Sequence, residues 1–458
     1  MLMNTSGIET IAAIATAPGE GAVSIVRVSG PGSLAIADRL FKGKAPLPSF
    51  RPGGSFVHGL LEGPAGVTDE VILLIYRAPH SYTREDAVEI QGHGGSAAAK
   101  RILRAVLDAG ARLAEPGEFT KRAFLSGRID LVQAEAVLDL IRARTDRAAQ
   151  AALEQLNGRL SGAFNALYDK TLVACGDLES TLDFSEDELP ATLMADVALK
   201  LKSIRAEFKR LLDSWDEGHV LREGASVAIA GRPNVGKSTL LNALLGKERA
   251  IVTPLAGTTR DTIEEQITID GYLVRICDTA GLRDSSCLIE QDGIRRAREL
   301  VLQSDLIIYV VDGSLPFSQE DRDHLARLQK HKTIIVINKS DISINETVKP
   351  LASDWSVRYI SAARSEGLED LKKGIIEHLG VREGIPHHAV ISERHRHLLI
   401  SAHKDIVEAG LILSRAEADP TLAASRLRMA LETLGTVTGR IYHEELLNNI
   451  FSRFCIGK

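Results

Sequence analysis

A chain of 458 residues has room for roughly two to four domains, and 44% hydrophobic residues with only 4% aromatic describe soluble, helix-rich units with aliphatic cores. Its formal net charge of −6 argues against a globally basic nucleic-acid binder and leaves only local basic faces for such a partner. Cys175, Cys277, Cys287 and Cys455 are too scattered for a C-x-x-C metal or redox pair, no apolar run approaches the ~18 residues of a membrane span, and the N-terminus lacks a secretory pattern, so a soluble, cytoplasmic chain with free thiols is expected.

The first stretch, to about residue 122, mixes short strand-like and helical patterns. Thr10–Ala15, Ala22–Val28, Val71–Tyr76 and Ala87–Ile90 read as strands bounded by Pro and Gly, and Ser96–Ala109 has helical spacing. From about Leu125 to Trp215 long amphipathic helices follow, with Leu131, Ala134, Val137, Leu138 and Ile141 on one face; the acidic Asp183–Glu188 and Pro190 interrupt them as a loop. Alternating strands and helices from Ala225 to about Leu379 predict a doubly wound α/β unit, entered past Gly218 and Gly224 and left through Gly380–Pro386. Helical pattern returns in Ser392–Ser414, Leu422–Leu434 and His443–Phe454. The simplest architecture is one helical domain assembled from both flanks with the α/β unit inserted; two separate helical modules are the alternative. Arg394, His395, Arg396 and His397 form a basic cluster that reads as a solvated helix face or as an RNA contact.

The inserted unit carries chemistry. Gly231-Arg232-Pro233-Asn234-Val235-Gly236-Lys237-Ser238 follows the apolar Ser226–Ala230 and precedes the helix-like Thr239–Leu245. A glycine-rich turn between strand and helix presents backbone N–H groups to anionic oxygens, Lys237 reaches the terminal phosphates, and the Ser238 hydroxyl can ligate Mg²⁺. Asp278-Thr279-Ala280-Gly281 ends the strand Leu273–Cys277, where the carboxylate can hold Mg²⁺ through water and the Gly281 N–H can meet the γ-phosphate. Asn338-Lys339-Ser340-Asp341 closes Thr333–Ile337, and Asp341 offers two oxygens to a pair of guanine N–H donors that adenine lacks, which makes GTP the nucleotide. Ser361-Ala362-Ala363, after Val357–Ile360, resembles the last guanine-contacting loop of such GTPases by its position. Leu282 stands where Ras-like enzymes carry the glutamine that orients the attacking water, so another group must do that work.

Outside this unit, three stretches match one family in order: Pro18-Gly19-Glu20-Gly21-Ala22-Val23-Ser24-Ile25-Val26-Arg27; Glu89-Ile90-Gln91-Gly92-His93-Gly94-Gly95 with Pro116-Gly117-Glu118-Phe119; and the terminal Phe454-Cys455-Ile456-Gly457-Lys458. With the G-domain motifs, they resemble the MnmE (TrmE) family, GTPases of tRNA wobble-uridine modification. The resemblance implies an N-terminal α/β folate-binding-like domain that also dimerises (1–122), a discontinuous helical domain (123–220 and 381–458), and an inserted P-loop Ras-like G domain (221–380). It implies a homodimer that acts on tRNA and binds 5-formyl- or methylene-tetrahydrofolate at Arg27, Glu89, Lys458 and Arg128, the last being Lys in some members. It also implies a flavoprotein partner, MnmG (GidA), in a heterotetramer that adds an aminomethyl or carboxymethylaminomethyl group to the 5-position of the wobble uridine.

By the same resemblance Cys455 lies near that chemistry; taken alone it is a free thiol beside a packed terminal helix, and Gly457 and Lys458 do not fit prenylation. Glu290 is implied as the carboxylate that orients water, with helix capping as its other use and Asp284 and Asp292 as rivals. A K⁺ ion is implied at Asn234 and the backbone oxygens of Thr253, Leu255 and Thr258, within the loop Thr253-Pro254-Leu255-Ala256-Gly257-Thr258, while Thr259 completes the Mg²⁺ shell with Ser238. Capping of the P-loop turn is the other use of Asn234. A ribosome-assembly switch of the Era or Der type is the competing reading: it shares the G-domain motifs and the hydrophobic residue at Leu282 but lacks the flanking domain and the Cys-Ile-Gly-Lys end.

Overall fold

Alternating burial along strands builds the first unit, Met1–Leu138 with Gly435–Lys458, in a computed structural model that describes residues 9–64, 66–183, 192–246, 264–278, 301, 303–381, 391–415 and 419–458. Its strands are β1 (Ile11–Ile14), β2 (Val23–Ser29), β3 (Phe41–Gly43), β4 (Ser55–Gly63), β5 (Gly66–Tyr76), β6 (Ala87–His93) and β7 (Arg112–Leu113), in the order β3-β4-β5-β6-β2-β1-β7. Only the β1–β7 pair is parallel. Val26, Val28, Leu73, Ile75, Val88 and Ile90 point to the face covered by the helices Ser33–Leu40 and Ser96–Asp108, whose Ile36, Ala37, Ile102 and Val106 complete the core. The period of two therefore sends Arg27 and Glu89, which are register partners, to the opposite face.

Val71–Tyr76, expected as a separate strand, is the second half of the longer β5, because its polar first half, Gly66–Glu70, pairs with β4 and carries no apolar run. β4 itself was not expected. Gly59 reads as a breaker, yet it sits mid-strand because a Cβ there would meet the Lys42 carbonyl at 2.5 Å. The chain end closes this unit: Leu447, Ile450, Phe451 and Phe454 pack on Phe124, Leu131, Ala134 and Leu138. Ile141, expected on that same helical face, is 44% exposed in the last turn of the helix Leu131–Arg142.

The second unit, Asp139–Leu434, joins helices from both flanks of the G segment. Arg159–Asp183 and Leu193–Asp213 precede that segment, and Glu393–Leu413 and Pro420–Thr438 follow it. Across the two groups Phe164 and His395 have ring centroids 5.4 Å apart, Phe208 and His403 5.6 Å, and Arg428 donates to Glu179 at 2.6 Å. The helices thus form one discontinuous domain, and two separate modules are excluded. The solvated face expected of Arg394–His397 breaks up as well. His395 is 1% exposed because it closes a capping box: its N–H donates to the Ser392 hydroxyl and its Nδ1 accepts from the Ser392 N–H. Arg396 lies 5.0 Å over the Trp215 ring.

The G segment adds β8 (Ala225–Gly231), β9 (Glu264–Ile269), β10 (Tyr272–Asp278), β11 (Leu306–Asp312), β12 (Thr333–Asn338) and β13 (Ser356–Tyr359), in the order β13-β12-β11-β8-β10-β9. All pairs are parallel except β9–β10, and both faces of β11 and β12 are buried, as helix-covered parallel strands require. Among the described residues no helix is long and apolar enough to cross a membrane.

Phe208 is fully buried between the two groups of helices. Phe208→Ala is expected to destabilise the helical domain by about 3–5 kcal/mol, against less than about 0.5 kcal/mol for Leu199→Ala at a site 67% exposed. Urea denaturation followed by circular dichroism reads the difference; equal midpoints for the two variants would contradict the packing of the flanks on each other.

Candidate functional site

Parallel strands place their carboxyl ends along one edge of the sheet, and in the second unit Gly231, Asp278, Asp312 and Asn338 end four of them. The chain leaves β8 through Gly231 (φ +144°), Asn234 (φ 64°) and Gly236 (φ +98°). A side chain at Gly231 would overlap the Val310 carbonyl, and one at Gly236 would overlap the Asn338 amide, so only glycine fits at either end of the loop. Asn tolerates the left-handed conformation better than most residues. The helix Lys237–Leu245 begins at once, with Ser238 and Thr239 in its first turn. Lys237 is buried, and its Nζ donates to the Gly231 carbonyl at 2.9 Å and the Arg232 carbonyl at 2.7 Å, across the loop mouth.

Asn338 ties this loop to the next two. Its Nδ2 donates to the Val235 carbonyl at 2.9 Å, and its Oδ1 accepts from the Ala362 N–H at 3.0 Å. Lys339 (φ 64°) donates to Asp312 at 2.5 Å and to the Asn234 carbonyl at 3.4 Å. Burial pushes the Asp312 carboxyl up, but the hydrogen bonds from Lys339 and Ser314 outweigh it and leave the group below its usual range. Asp341 is held below its usual value by the hydrogen bond from Ser361 and by the charge of Arg364, 3.4 Å away. Ser361 is fully buried and Ala363 is exposed. A loop admitting no Cβ at its ends, an ammonium group across its mouth and a carboxylate kept ionised beside a second loop suit a nucleotide: phosphates at the first, a base with N–H donors at the second.

A second cluster occupies the face of the first sheet opposite its two helices. Arg27 donates to Glu89 at 2.8 Å, and Tyr76 OH donates to the other Glu89 oxygen at 3.4 Å. Burial, then the Glu89 charge, pushes the Tyr76 phenol up. The Arg27 guanidinium lies 5.3 Å over the Tyr82 ring and 5.6 Å over Phe119, while that of Arg128 lies 4.6 Å over Tyr82. The tail reaches the same place by backbone: Phe119 N–H donates to the Lys458 carbonyl at 3.2 Å, and a side chain at Gly457 (φ +101°) would overlap the Ile14 carbonyl. Two arginines, a carboxylate and aromatic rings together can hold a flat, anionic heterocycle by stacking and paired hydrogen bonds.

The family described as "GTP-binding protein TrmE N-terminus" matches residues 10–128, and the "MnmE helical domain" matches residues 131–455, across the G segment. The chain belongs to the MnmE (TrmE) family of tRNA modification GTPases. The MnmE of Geobacter metallireducens is 43% identical over 460 residues, covering 98% of this chain and 99% of that protein. The MnmE of Chlorobium phaeovibrioides is 44% identical, with 98% of each chain covered. The solved G domain of the T. maritima FeoB iron transporter is 33% identical over 34% of this chain and 98% of its own, with a TM-score of 0.25.

Of the residues that the MnmE resemblance singles out, the structure brings Arg27, Glu89 and Arg128 together around Tyr82 and joins Lys458 to them through the Phe119 backbone. Cys455 is exposed, and its carbonyl accepts from the Gly117 and Lys458 N–H groups at 3.5 and 3.3 Å. Asn234, Val235, Gly236, Lys237, Asn338, Lys339 and Ala362 meet at one edge of the sheet. Thr253 to Thr259, Thr279, Ala280, Gly281 and Glu290 lie outside the described residues, as do the rivals Asp284 and Asp292. Asp312 and Tyr82 were not singled out in the sequence, and Phe119 was quoted there only as part of a family motif, with no role at this site. Asp312 was signalled by an acid closing the apolar run Leu306–Val311, as Asp278 closes β10; nothing local marks Tyr82.

The floor under Arg27 is set by Glu118, one residue before Phe119. Arg112 donates to both of its oxygens at 2.8 and 2.9 Å, Arg122 to one at 2.9 Å, and the Glu115 N–H to the other at 2.9 Å. Burial alone would raise this carboxyl, but these bonds bring it from 4.5 down to about 2. A depressed folded value means that the stabilisation is complete above about pH 4.5 and is lost as pH falls towards about 2. Glu118→Gln is expected to cost about 1–3 kcal/mol at pH 7 and progressively less below pH 4. Denaturant titrations at pH 7 and pH 3 measure this, and an equal deficit at both would contradict it.

Proposed function

We propose that this chain is a K⁺-activated GTPase that works with the flavoprotein MnmG (GidA) on the wobble uridine of tRNA. The product carries an aminomethyl or carboxymethylaminomethyl group at the 5-position, with a tetrahydrofolate as one-carbon donor. The observation that carries the GTPase reading is the Asn338 amide, bonded at once to the phosphate-loop carbonyl of Val235 and to the Ala362 N–H of the base-side loop. Family membership supports the tRNA reaction, and the Arg27–Glu89–Arg128–Tyr82 cluster supports the folate. We divide the chain into an N-terminal folate and dimerisation domain (1–122), a helical domain (123–220 and 381–458) and a G domain (221–380), and infer a homodimer within a heterotetramer.

In this reading Lys237 and the N–H groups of the loop through Gly236 hold the phosphates. Ser238 and Thr259 ligate Mg²⁺, and Asp341 accepts from guanine. Asn234, with backbone oxygens of Thr253, Leu255 and Thr258, holds K⁺ by a neutral amide oxygen that leaves the cation's charge intact. The two cations supply charge neutralisation on the transferred phosphoryl group. Glu290 orients the attacking water that Leu282 cannot orient. At the other site Arg27, Glu89, Arg128 and Lys458 orient the folate, and Cys455 stands beside them.

Asp341→Asn exchanges an acceptor for a donor opposite one guanine N–H. GTP affinity should fall by the equivalent of about 1–3 kcal/mol and preference should move towards xanthosine triphosphate; an unchanged GTP affinity by calorimetry would remove Asp341 from the base site. Glu290→Ala should keep GTP binding but slow single-turnover cleavage by about 10² or more, and Na⁺ in place of K⁺ should slow the parent protein far more than it weakens binding. Cleavage as fast in Na⁺ as in K⁺ would sink the cation assignment, and unimpaired cleavage by the variant would pass the water-orienting role to Asp284 or Asp292.

A further inference from the structure

The helices Leu193–Asp213 and Glu393–Leu413 enclose a groove of about 660 Å³ on the second unit. Small residues open it: Ala198, Ala206 and Gly410 line it, and a Cβ built on Gly410 meets nothing within 4 Å. Leu201, Leu212 and Leu413 give it an apolar floor. Along one wall stand Lys202, Arg205 and Lys209, at i, i+3 and i+7 on a single helix face, so they form a row about 10 Å long. All three are exposed and make no ion pair among the described residues, whereas the neighbouring Lys200 is held by Asp177. In a chain of net charge −6, three adjacent cations that make no ion pair among the described residues, beside an apolar hollow, are an unmatched feature. Their field reaches inward: burial first, and then the charge of Arg205, pushes His403 below its usual value. The acid in the lining is Asp213, at the C-terminal end of its helix.

We propose that this groove is the docking site for an amphipathic helix of the flavoprotein partner, with leucine-type side chains on the face that enters and carboxylates along the flank that meets Lys202, Arg205 and Lys209. The charge row calls for an anionic partner, and the apolar floor selects among anions. An RNA backbone would satisfy the cations but leave the half-buried Leu212 and Leu413 in water, whereas an acidic helix covers both the cations and these side chains. Apolar contact at the centre with charge at the rim is the usual arrangement of a stable protein interface. This inference rests on the reading above that the chain works with a flavoprotein.

The test uses the full chain and two variants whose effects come from different physics. Lys202→Glu/Arg205→Glu/Lys209→Glu reverses the wall, and Gly410→Leu projects a side chain into the hollow, its Cβ entering open space, while improving helix propensity. Both should fold and hydrolyse GTP alone like the parent. By calorimetry, purified flavoprotein should bind the triple variant at least tenfold more weakly and Gly410→Leu about tenfold more weakly, with the parent's affinity falling as salt rises. Parental affinity in both variants would overturn the groove proposal while leaving the function intact. Loss of tRNA binding by the triple variant with flavoprotein binding retained would overturn it in favour of an RNA contact. A parent protein that binds no flavoprotein would overturn the partner reading, and this inference with it.

Discussion

The G domain depends on one side chain. Asn338 spends both halves of its amide on backbone, donating to Val235 in the phosphate loop and accepting from Ala362 in the loop after β13. Gly236 must lack a side chain because Asn338 occupies that space, and Lys339, next in sequence, ties Asn234 to Asp312. Four strand ends are thereby joined by groups that are buried or charge-assisted, where a missing partner costs more than the bond itself contributes. A site assembled this way is preorganised: the loops that would meet phosphate and base are set relative to each other by the protein alone.

The first unit uses a different constraint towards a similar end. Its cluster lies on the face of the sheet opposite the two helices, beneath Tyr82 and Phe119, where period-two alternation places Arg27 opposite Glu89. Position there is fixed from below by the Glu118 network and from the side by the chain terminus, whose Gly457 lies against β1 and whose Lys458 carbonyl caps the Phe119 N–H. A terminal segment is ordinarily the freest part of a chain. Here Phe451 and Phe454 bury it against Phe124 and Leu131, so its last four residues stand at a defined place.

The sequence made the G-domain sheet legible because buried parallel strands are nearly continuous apolar runs and its motifs fall at their carboxyl ends. The discontinuous helical domain was legible from helical periodicity on both flanks. What escaped depends on contacts between distant residues. β4 was hidden because Gly59 and His58 interrupt its pattern, and Gly59 is required only by the approach of Lys42. His395 looked like part of a charged surface, although its ring closes a cap and packs on Phe164, some two hundred residues earlier. Tyr82 lies in a loop with no periodicity, and it acquires meaning only when Arg27 and Arg128 fold onto it. The bond between Asn338 and Val235 follows from strand order, which no local pattern displays.

The account joins this GTPase site to a reaction on tRNA, and that claim is open to direct measurement. Wobble nucleosides can be quantified by mass spectrometry in tRNA from cells lacking this protein, complemented either with the parent chain or with Asn338→Ala. The account predicts that the 5-substituted uridine disappears on deletion, returns with the parent chain and does not return with the variant. A deletion strain whose wobble uridines keep their full modification would contradict it.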